Sequence, residues 1–136
     1  MESRRIAGIV YTTLTAIVVG FQIALALGAP WGSFAMGGAF PGQFPPTLRV
    51  SAIIQAVILV SLAGIVLARS GVALRKWARA SRRIIWVVVA FSAVSLVLNL
   101  ITPGGGERLL WAPVALTLLV TSLLVATGPA VPNTAA

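Results

Sequence analysis

Four long apolar runs that contain no charged residue constrain this chain more than any other feature. They cover about residues 6–27, 50–68, 84–101 and 109–127. Each is close to the ~20 residues that a helix needs to cross the hydrocarbon core of a bilayer. Because the backbone has to satisfy its own hydrogen bonds in lipid, each run is predicted to be a helix. The sequence therefore predicts an all-α integral membrane four-helix bundle, with residues 1–136 as a single transmembrane domain.

The composition supports a bilayer as the solvent. Only 9% of the residues are charged and 59% are hydrophobic, whereas a soluble domain carries roughly 25% charged residues. Residues that break helices separate the runs: Gly28 follows the first, Gly71 the second and Pro103 the third. Pro113 is predicted to lie near the first turn of the fourth helix, where its missing N–H costs little.

The basic residues predict the orientation. Arg4 and Arg5 precede the first run, and six more lie between the second and third runs, whereas only Arg49 and Arg108 lie on the other side. Lysine and arginine accumulate on the cytoplasmic side of membrane proteins. Both termini are therefore predicted to be cytoplasmic, and residues 28–49 to form an outer loop.

The basic connector carries residues that are predicted to contact anionic lipid headgroups: Arg75, Lys76, Arg79, Arg82 and Arg83. Their helical spacing predicts that the third helix extends towards the cytoplasm to include them. The net charge of +8 is therefore attributed to lipid contact, and no nucleic-acid partner is expected. The alternative is a dedicated site for a protein or a nucleotide.

Small residues recur at every fourth position along the first helix: Gly8, Thr12, Ala16, Gly20, Ala24 and Gly28. In lipid, burying one apolar side chain against another gains little, so helices associate through small residues that permit close approach. The stripe predicts either packing on the second helix of the same subunit or an interface between copies in a homo-oligomer.

Polar residues inside the runs are the main candidates for a site, because they are costly in lipid unless they are paired. Gln22, Gln55, Ser95 and Asn99 come from three helices. At ~1.5 Å rise per residue, they lie within roughly 10 Å of the outer boundary. Two interpretations remain open: an interhelical hydrogen-bond network, or an outward-facing pocket for a small polar or amphipathic ligand beneath the loop.

The outer loop combines glycines and prolines with large apolar side chains. We expect a compact, ordered cap rather than a flexible connector, held at the interface by Trp31, Phe34, Met36, Phe40 and Phe44.

Glu107 shares the outer side of the membrane with Arg49 and Arg108. A surface ion pair between Glu107 and one of them is predicted, and a site for an anionic group is the alternative. Trp31 and Trp111 are interpreted as members of the interfacial aromatic belt.

The sequence lacks the side chains that most catalytic sites require. The chain has no cysteine or histidine and only two acids, Glu2 and Glu107. No nucleophile–base pair or metal cluster can be assembled from these residues, so neither an enzyme nor a cofactor is expected. No acid lies within a predicted span, which argues against proton-coupled antiport.

Three segments, "LALGAPWGSFAMGG", "FPPTLRVSA" and "ERLLWAPVALTLL", carry a family resemblance. The chain resembles a widespread uncharacterised family of small bacterial proteins with four transmembrane helices. That family shows a GAPxG…AxGG…PxxLR loop and a late ER..W.PV segment. Residues 104–106 depart from its pattern. The resemblance implies a multi-pass protein of the bacterial inner membrane and brings no activity with it.

These observations predict a non-enzymatic binding or accessory protein that self-associates or joins a larger membrane complex. The alternative is a small oligomeric channel or transporter, with a polar path lined by Gln22, Gln55 and Asn99.

Overall fold

The computed structural model describes residues 2–103 and 105–128. It contains four long helices: α1 (Glu2–Ala26), α2 (Pro46–Ser70), α3 (Ala78–Ile101) and α4 (Gly105–Thr127). Short 3₁₀ turns lie at Gly32–Phe34, Met36–Gly38 and Arg75–Trp77. All four long helices are long and apolar enough to cross a membrane. The predicted all-α fold with four candidate spans is therefore confirmed, while its orientation and insertion stay predictions.

The helices end where the sequence places breaking residues. Gly71 closes α2 with a left-handed backbone (φ 77°), a conformation that glycine adopts without steric cost. Thr102, which ends α3, is extended, as the residue before a proline prefers to be. Helix α2 begins at Pro46 and includes Arg49 and Arg69. It is longer than its charge-free run because arginine side chains can extend towards water from inside a helix.

The position predicted for Pro113 is wrong. Helix α4 begins at Gly105, so Pro113 lies in its interior, where it supplies no N–H for the carbonyl of Leu109. The prediction failed because it placed the start of the helix after Arg108, at the last charged residue. For the same reason Glu107 belongs to the first turn of α4 rather than to a connecting loop.

The predicted extension of α3 is only partly present. Leu74 adopts a left-handed backbone (φ 55°) and is followed by the 3₁₀ turn Arg75–Trp77, so α3 begins at Ala78. The helix therefore includes Arg79, Arg82 and Arg83, whereas Arg75 and Lys76 belong to the turn.

The four helices form a closed ring in chain order. Helix α1 packs most extensively on α2 and α3 on α4, and contacts of α1 with α4 and of α2 with α3 complete the ring. One end carries the segment 27–45, and we call it the loop end. The opposite end carries Arg4, Arg69 and the segment 71–77, and we call it the arginine end.

The main hydrophobic core occupies the half of the bundle next to the arginine end, the arginine half. Its buried members come from all four helices: Ala7, Tyr11, Leu62, Val66, Ile85, Val88, Val125 and Ala126. A smaller cluster of Leu25, Phe44 and Ala52 lies in the other half, the loop half, beside the segment 27–45. The two halves thus differ in how their interiors are filled.

Candidate functional site

A cavity of about 450 Å³ occupies the interior of the loop half. Side chains from all four helices and from the segment 27–45 line it. The lining residues repeat at three or four positions within a helix, as in Ser92, Ser95 and Asn99 of α3. Each helix therefore presents one face to the cavity, because residues at this spacing lie on the same side of a helix.

The four polar residues that the sequence singles out all line this cavity: Gln22, Gln55, Ser95 and Asn99. Asn99 Nδ2 donates to the backbone oxygen of Ser95 at 2.7 Å, within its own helix. No hydrogen bond joins the amides of Gln22, Gln55 and Asn99 to one another within residues 2–103 and 105–128. The amides of different helices are thus gathered around a space without forming the interhelical network.

Hydroxyl groups form the floor of the cavity. Tyr11 and Ser92 line it and are only 1% and 2% exposed, and the side chain of Tyr11 contacts the hydroxyls of Ser92 and Thr15. The contact with Thr15 falls short of a hydrogen bond, because Thr15 Oγ1 has no partner in the part of the chain that the structure describes. Below Tyr11 the packed core begins.

The segment 27–45 forms the roof. Phe34, Ala35, Met36 and Phe44 line the cavity from above. Phe44 is buried and packs with Leu25 of α1 and Ala52 of α2. Met36 has a left-handed backbone (φ 52°), which is unfavourable for a residue other than glycine. Strain of this kind persists only where surrounding contacts impose it.

An aromatic group fastens the roof to the helices. Trp111 Nε1 donates to the backbone oxygen of Phe34 at 2.8 Å. The ring of Phe21 meets Trp111 edge-on at 4.8 Å and stacks on Trp31 at 6.2 Å between centroids. Trp31 and Trp111, interpreted from the sequence as belt residues, therefore also connect α1, α4 and the roof.

The roof has its own hydrogen bonds. Gly32 N–H donates to the oxygen of Gly42 at 2.9 Å. A Cβ atom at Gly32 would collide with the carbonyl oxygen of Phe40, so only glycine fits there. Arg49 Nε donates to the oxygen of Phe44 at 2.8 Å and closes the segment at the start of α2. That this segment is ordered stays a prediction.

Glu107 is the one acid among the lining residues. Its Oε2 accepts a hydrogen bond from Thr102 Oγ1 at 3.3 Å. Arg108 donates to the backbone oxygen of Thr102 at 2.7 Å, and Arg49 donates to a backbone oxygen in the roof. The ion pair of Glu107 with one of these arginines stays a prediction.

Among the glycines of the small-residue stripe, close contacts occur at Gly8 and at Gly28, which lies just beyond the end of α1. A Cβ atom at Gly8 would collide with the hydroxyl of Ser70 on α2. A Cβ atom at Gly28 would lie 3.3 Å from the Arg49 guanidinium, whereas one at Gly20 would meet nothing within 4 Å. Ala16 is exposed, and Thr12 and Ala24 are half-buried. The middle of the stripe is therefore open within one subunit at Ala16 and Gly20.

The five basic residues predicted to touch headgroups are all exposed: Arg75, Lys76, Arg79, Arg82 and Arg83. Their contact with lipid stays a prediction. Sequence reasoning missed Tyr11 and Ser92 as cavity residues. Both could have been found by helical spacing, since Tyr11 lies eleven residues before Gln22 and Ser92 three before Ser95.

No known protein family, functionally described protein or solved structure matches this chain.

Proposed function

We propose that this chain is a non-enzymatic integral membrane protein that binds a small amphipathic ligand in the cavity of the loop half. The observation that carries the proposal is the meeting of Gln22, Gln55 and Asn99 around one cavity without hydrogen bonds between them. Amides in an apolar setting are costly when they lack partners. A ligand with hydrogen-bonding groups would supply those partners.

The rest of the lining favours a ligand with an apolar body. Aromatic and aliphatic side chains such as Phe21, Phe91 and Leu118 make up most of the walls. Pockets for small molecules commonly combine such walls with a few convergent polar groups. At about 450 Å³, the cavity suits a molecule of drug-like size.

We further propose an accessory role in which the protein self-associates or joins a larger membrane complex. The open middle of the α1 stripe supports this, because small residues free of contacts within one subunit leave room for another helix. A Gly20→Leu variant is expected to dissociate the complex, whereas Ile17→Leu, an exposed control on the same helix, should leave it intact. Native mass spectrometry in a mild detergent would report both. An unchanged oligomeric state in Gly20→Leu would contradict this role.

The channel or transporter alternative receives no support from the packing. Val66, Ile85, Val88 and Val125 have no exposed surface and fill the interior below the cavity. These four side chains belong to the hydrophobic core of the arginine half. Purified protein in liposomes is therefore expected to show no flux of ions or small solutes.

The location remains part of the proposal: the bacterial inner membrane, with both termini cytoplasmic and the cavity towards the outside. The distribution of lysine and arginine supports this orientation.

Single cysteines test the cavity, because the natural sequence contains none. Ser95→Cys places a thiol in the cavity wall, whereas Ser122→Cys places one in the packed arginine half, where Ser122 has no exposed surface. A small methanethiosulfonate reagent is expected to label the first and not the second. In intact cells, labelling of Ser95→Cys by a membrane-impermeant reagent would also support the outward orientation.

Ligand binding is then tested by protection of that thiol. A neutral naphthalene dye with one carbonyl group has an apolar body and a hydrogen-bond acceptor. It is expected to slow labelling of Ser95→Cys, and adding Gln22→Ala and Gln55→Ala should abolish the protection. Labelling that the dye never slows, or protection that survives removal of both amides, would contradict the proposed binding site.

A further inference from the structure

Two arginines at the arginine end are buried in the protein. Arg4 of α1 is 2% exposed and Arg69 of α2 is 8% exposed. Nε, Nη1 and Nη2 of Arg4 and Nε of Arg69 are inaccessible and have no hydrogen-bond partner among the residues that the structure describes. Arginine is rarely buried in this way unless its guanidinium is paired, so these two side chains call for a counter-group.

The surroundings of Arg4 explain only part of its position. A Cβ atom at Gly128 would lie 2.7 Å from Arg4 Nε and 3.0 Å from the carbonyl oxygen of Leu124, so the guanidinium lies at the C-terminal end of α4. A helix C-terminus is favourable for a cation. It provides no hydrogen bond to Arg4, however, and leaves all three guanidinium nitrogens unpartnered.

Positive charge accumulates at this position. Gly8 lies one turn of α1 after Arg4 and packs closely against Ser70, the residue that follows Arg69 in α2. Arg4 and Arg69 therefore lie at one contact between two helices, and Arg82 of α3 adds its charge to that of Arg69. Glu107, the acid whose side chain is described, belongs to the first turn of α4 at the opposite end. The other acid of the sequence, Glu2, has a side chain outside the described part. Three helices thus bring like charges together.

We propose that the arginine end binds a phosphate group between Arg4 and Arg69. A guanidinium presents its N–H groups in a planar fork that matches the oxygens of phosphate, and charge-assisted pairs of this kind are the strong ones. The group comes either from the headgroup of an anionic lipid or from soluble phosphate. The buried pair Arg4 and Arg69 is distinct from the exposed basic residues of the same end, which are Arg75, Lys76, Arg79, Arg82 and Arg83. Of these, Arg82 adds its charge to that of Arg69. The site is independent of the ligand cavity in the loop half.

The first experiment uses the full wild-type chain in a neutral maltoside detergent. Thermal unfolding is followed by tryptophan fluorescence with phosphatidylglycerol or with inorganic phosphate, each at an ionic strength matched with chloride. We expect Tm to rise by about 5 °C. A rise with phosphatidylglycerol alone identifies a lipid headgroup, and a rise with inorganic phosphate identifies soluble phosphate. No rise with either would overturn the proposal.

The second experiment locates the site by native mass spectrometry of the same probe bound to variants. Arg4→Gln and Arg69→Gln are expected to weaken binding by about tenfold or more. Arg83→Gln, which removes an exposed charge at the same end, should change it little. Arg4→Gln changes a buried side chain and carries a risk to folding. Arg69→Lys, which keeps the charge and loses the planar fork, is the milder test and should still weaken binding. Equal losses in Arg83→Gln and Arg69→Gln would contradict a defined site.

A Glu2→Gln variant tests whether a carboxylate of the chain already fills the site. Wild-type affinity in this variant agrees with the proposal. Phosphate binding that appears only after this substitution would overturn it, because Glu2 would then be the natural partner of the two arginines.

Discussion

In the arginine half, Val66, Ile85 and Val88 are fully buried and meet in one core, whereas the interior of the loop half holds Gln22, Gln55 and a cavity of about 450 Å³. The same four helices build both halves. In lipid, close packing and polar contacts hold helices together, because apolar burial by itself gains little. The contrast indicates that the arginine half contributes most of the packing that stabilises the bundle, whereas the loop half is less tightly packed and contains a cavity.

The largest expected effect on stability comes from a substitution in the packed arginine half. Ile85→Ala should destabilise the protein by about 2–4 kcal/mol, because Ile85 has no exposed surface and its truncation leaves a void among rigid neighbours. Reversible unfolding in mixed micelles measures the change.

Leu98→Ala is the matched control in the loop half. Leu98 lines the cavity and is 57% exposed, so truncation should cost less than about 1 kcal/mol. Equal costs for Ile85→Ala and Leu98→Ala would remove the distinction between the halves.

The next largest effect on stability is expected from substitutions of two glycines in α1. Gly8→Ala should cost about 1–3 kcal/mol, because the new methyl group meets Ser70 on α2 and the helices have to move apart. Gly20→Ala should be neutral or slightly stabilising within one subunit, since nothing lies within 4 Å of that position. Unfolding curves of both variants decide this, and a larger loss for Gly20→Ala would show that the middle of the stripe is the tighter contact.

A smaller effect concerns the roof. Trp111→Phe keeps an aromatic ring beside Phe21 and removes the hydrogen bond to the oxygen of Phe34. The expected loss is about 1 kcal/mol. Hydrogen exchange should become faster in residues 31–44 and stay slow in residues 62–66 of the arginine half. Fast exchange throughout residues 31–44 of the wild type would instead show that the segment is a flexible connector.

The smallest expected effect on stability distinguishes the pocket from a hydrogen-bond network. The double variant Gln22→Ala and Gln55→Ala should change the free energy of unfolding by less than about 0.5 kcal/mol, because neither amide hydrogen-bonds across helices in the described structure. An interhelical network would make the loss larger, up to about 2 kcal/mol per bond. A clear destabilisation would therefore favour the network and weaken the case for a ligand.

The sequence predicted the architecture well because charge-free runs and breaking residues report directly on spans and their ends. The fixed rise per residue of a helix also led to the prediction that Gln22, Gln55, Ser95 and Asn99 lie near one another, and all four line the cavity. The rule that a helix begins after the last charged residue failed for Pro113, because backbone hydrogen bonding does not stop at an arginine. The helical spacing of the basic residues failed for the start of α3, because the left-handed backbone of Leu74 and the turn Arg75–Trp77 precede the helix.

Other features depend on tertiary contacts that no local pattern contains. Trp111 reaches the oxygen of Phe34 across 77 positions of the chain. In the sequence, Arg4 and Arg69 look like the other arginines of the same end. Their burial depends on the packing of α1, α2 and α4, which no local pattern contains.

We propose above all that the cavity of the loop half holds a ligand. An experimental structure of the wild-type protein, purified from its native membrane and held in a lipid nanodisc, tests it most directly. We expect density for an elongated molecule beneath Phe34 and Phe44, with polar atoms within hydrogen-bonding distance of Gln22 and Gln55. A collapsed interior, with these two amides bonded to each other and no space between them, would contradict it.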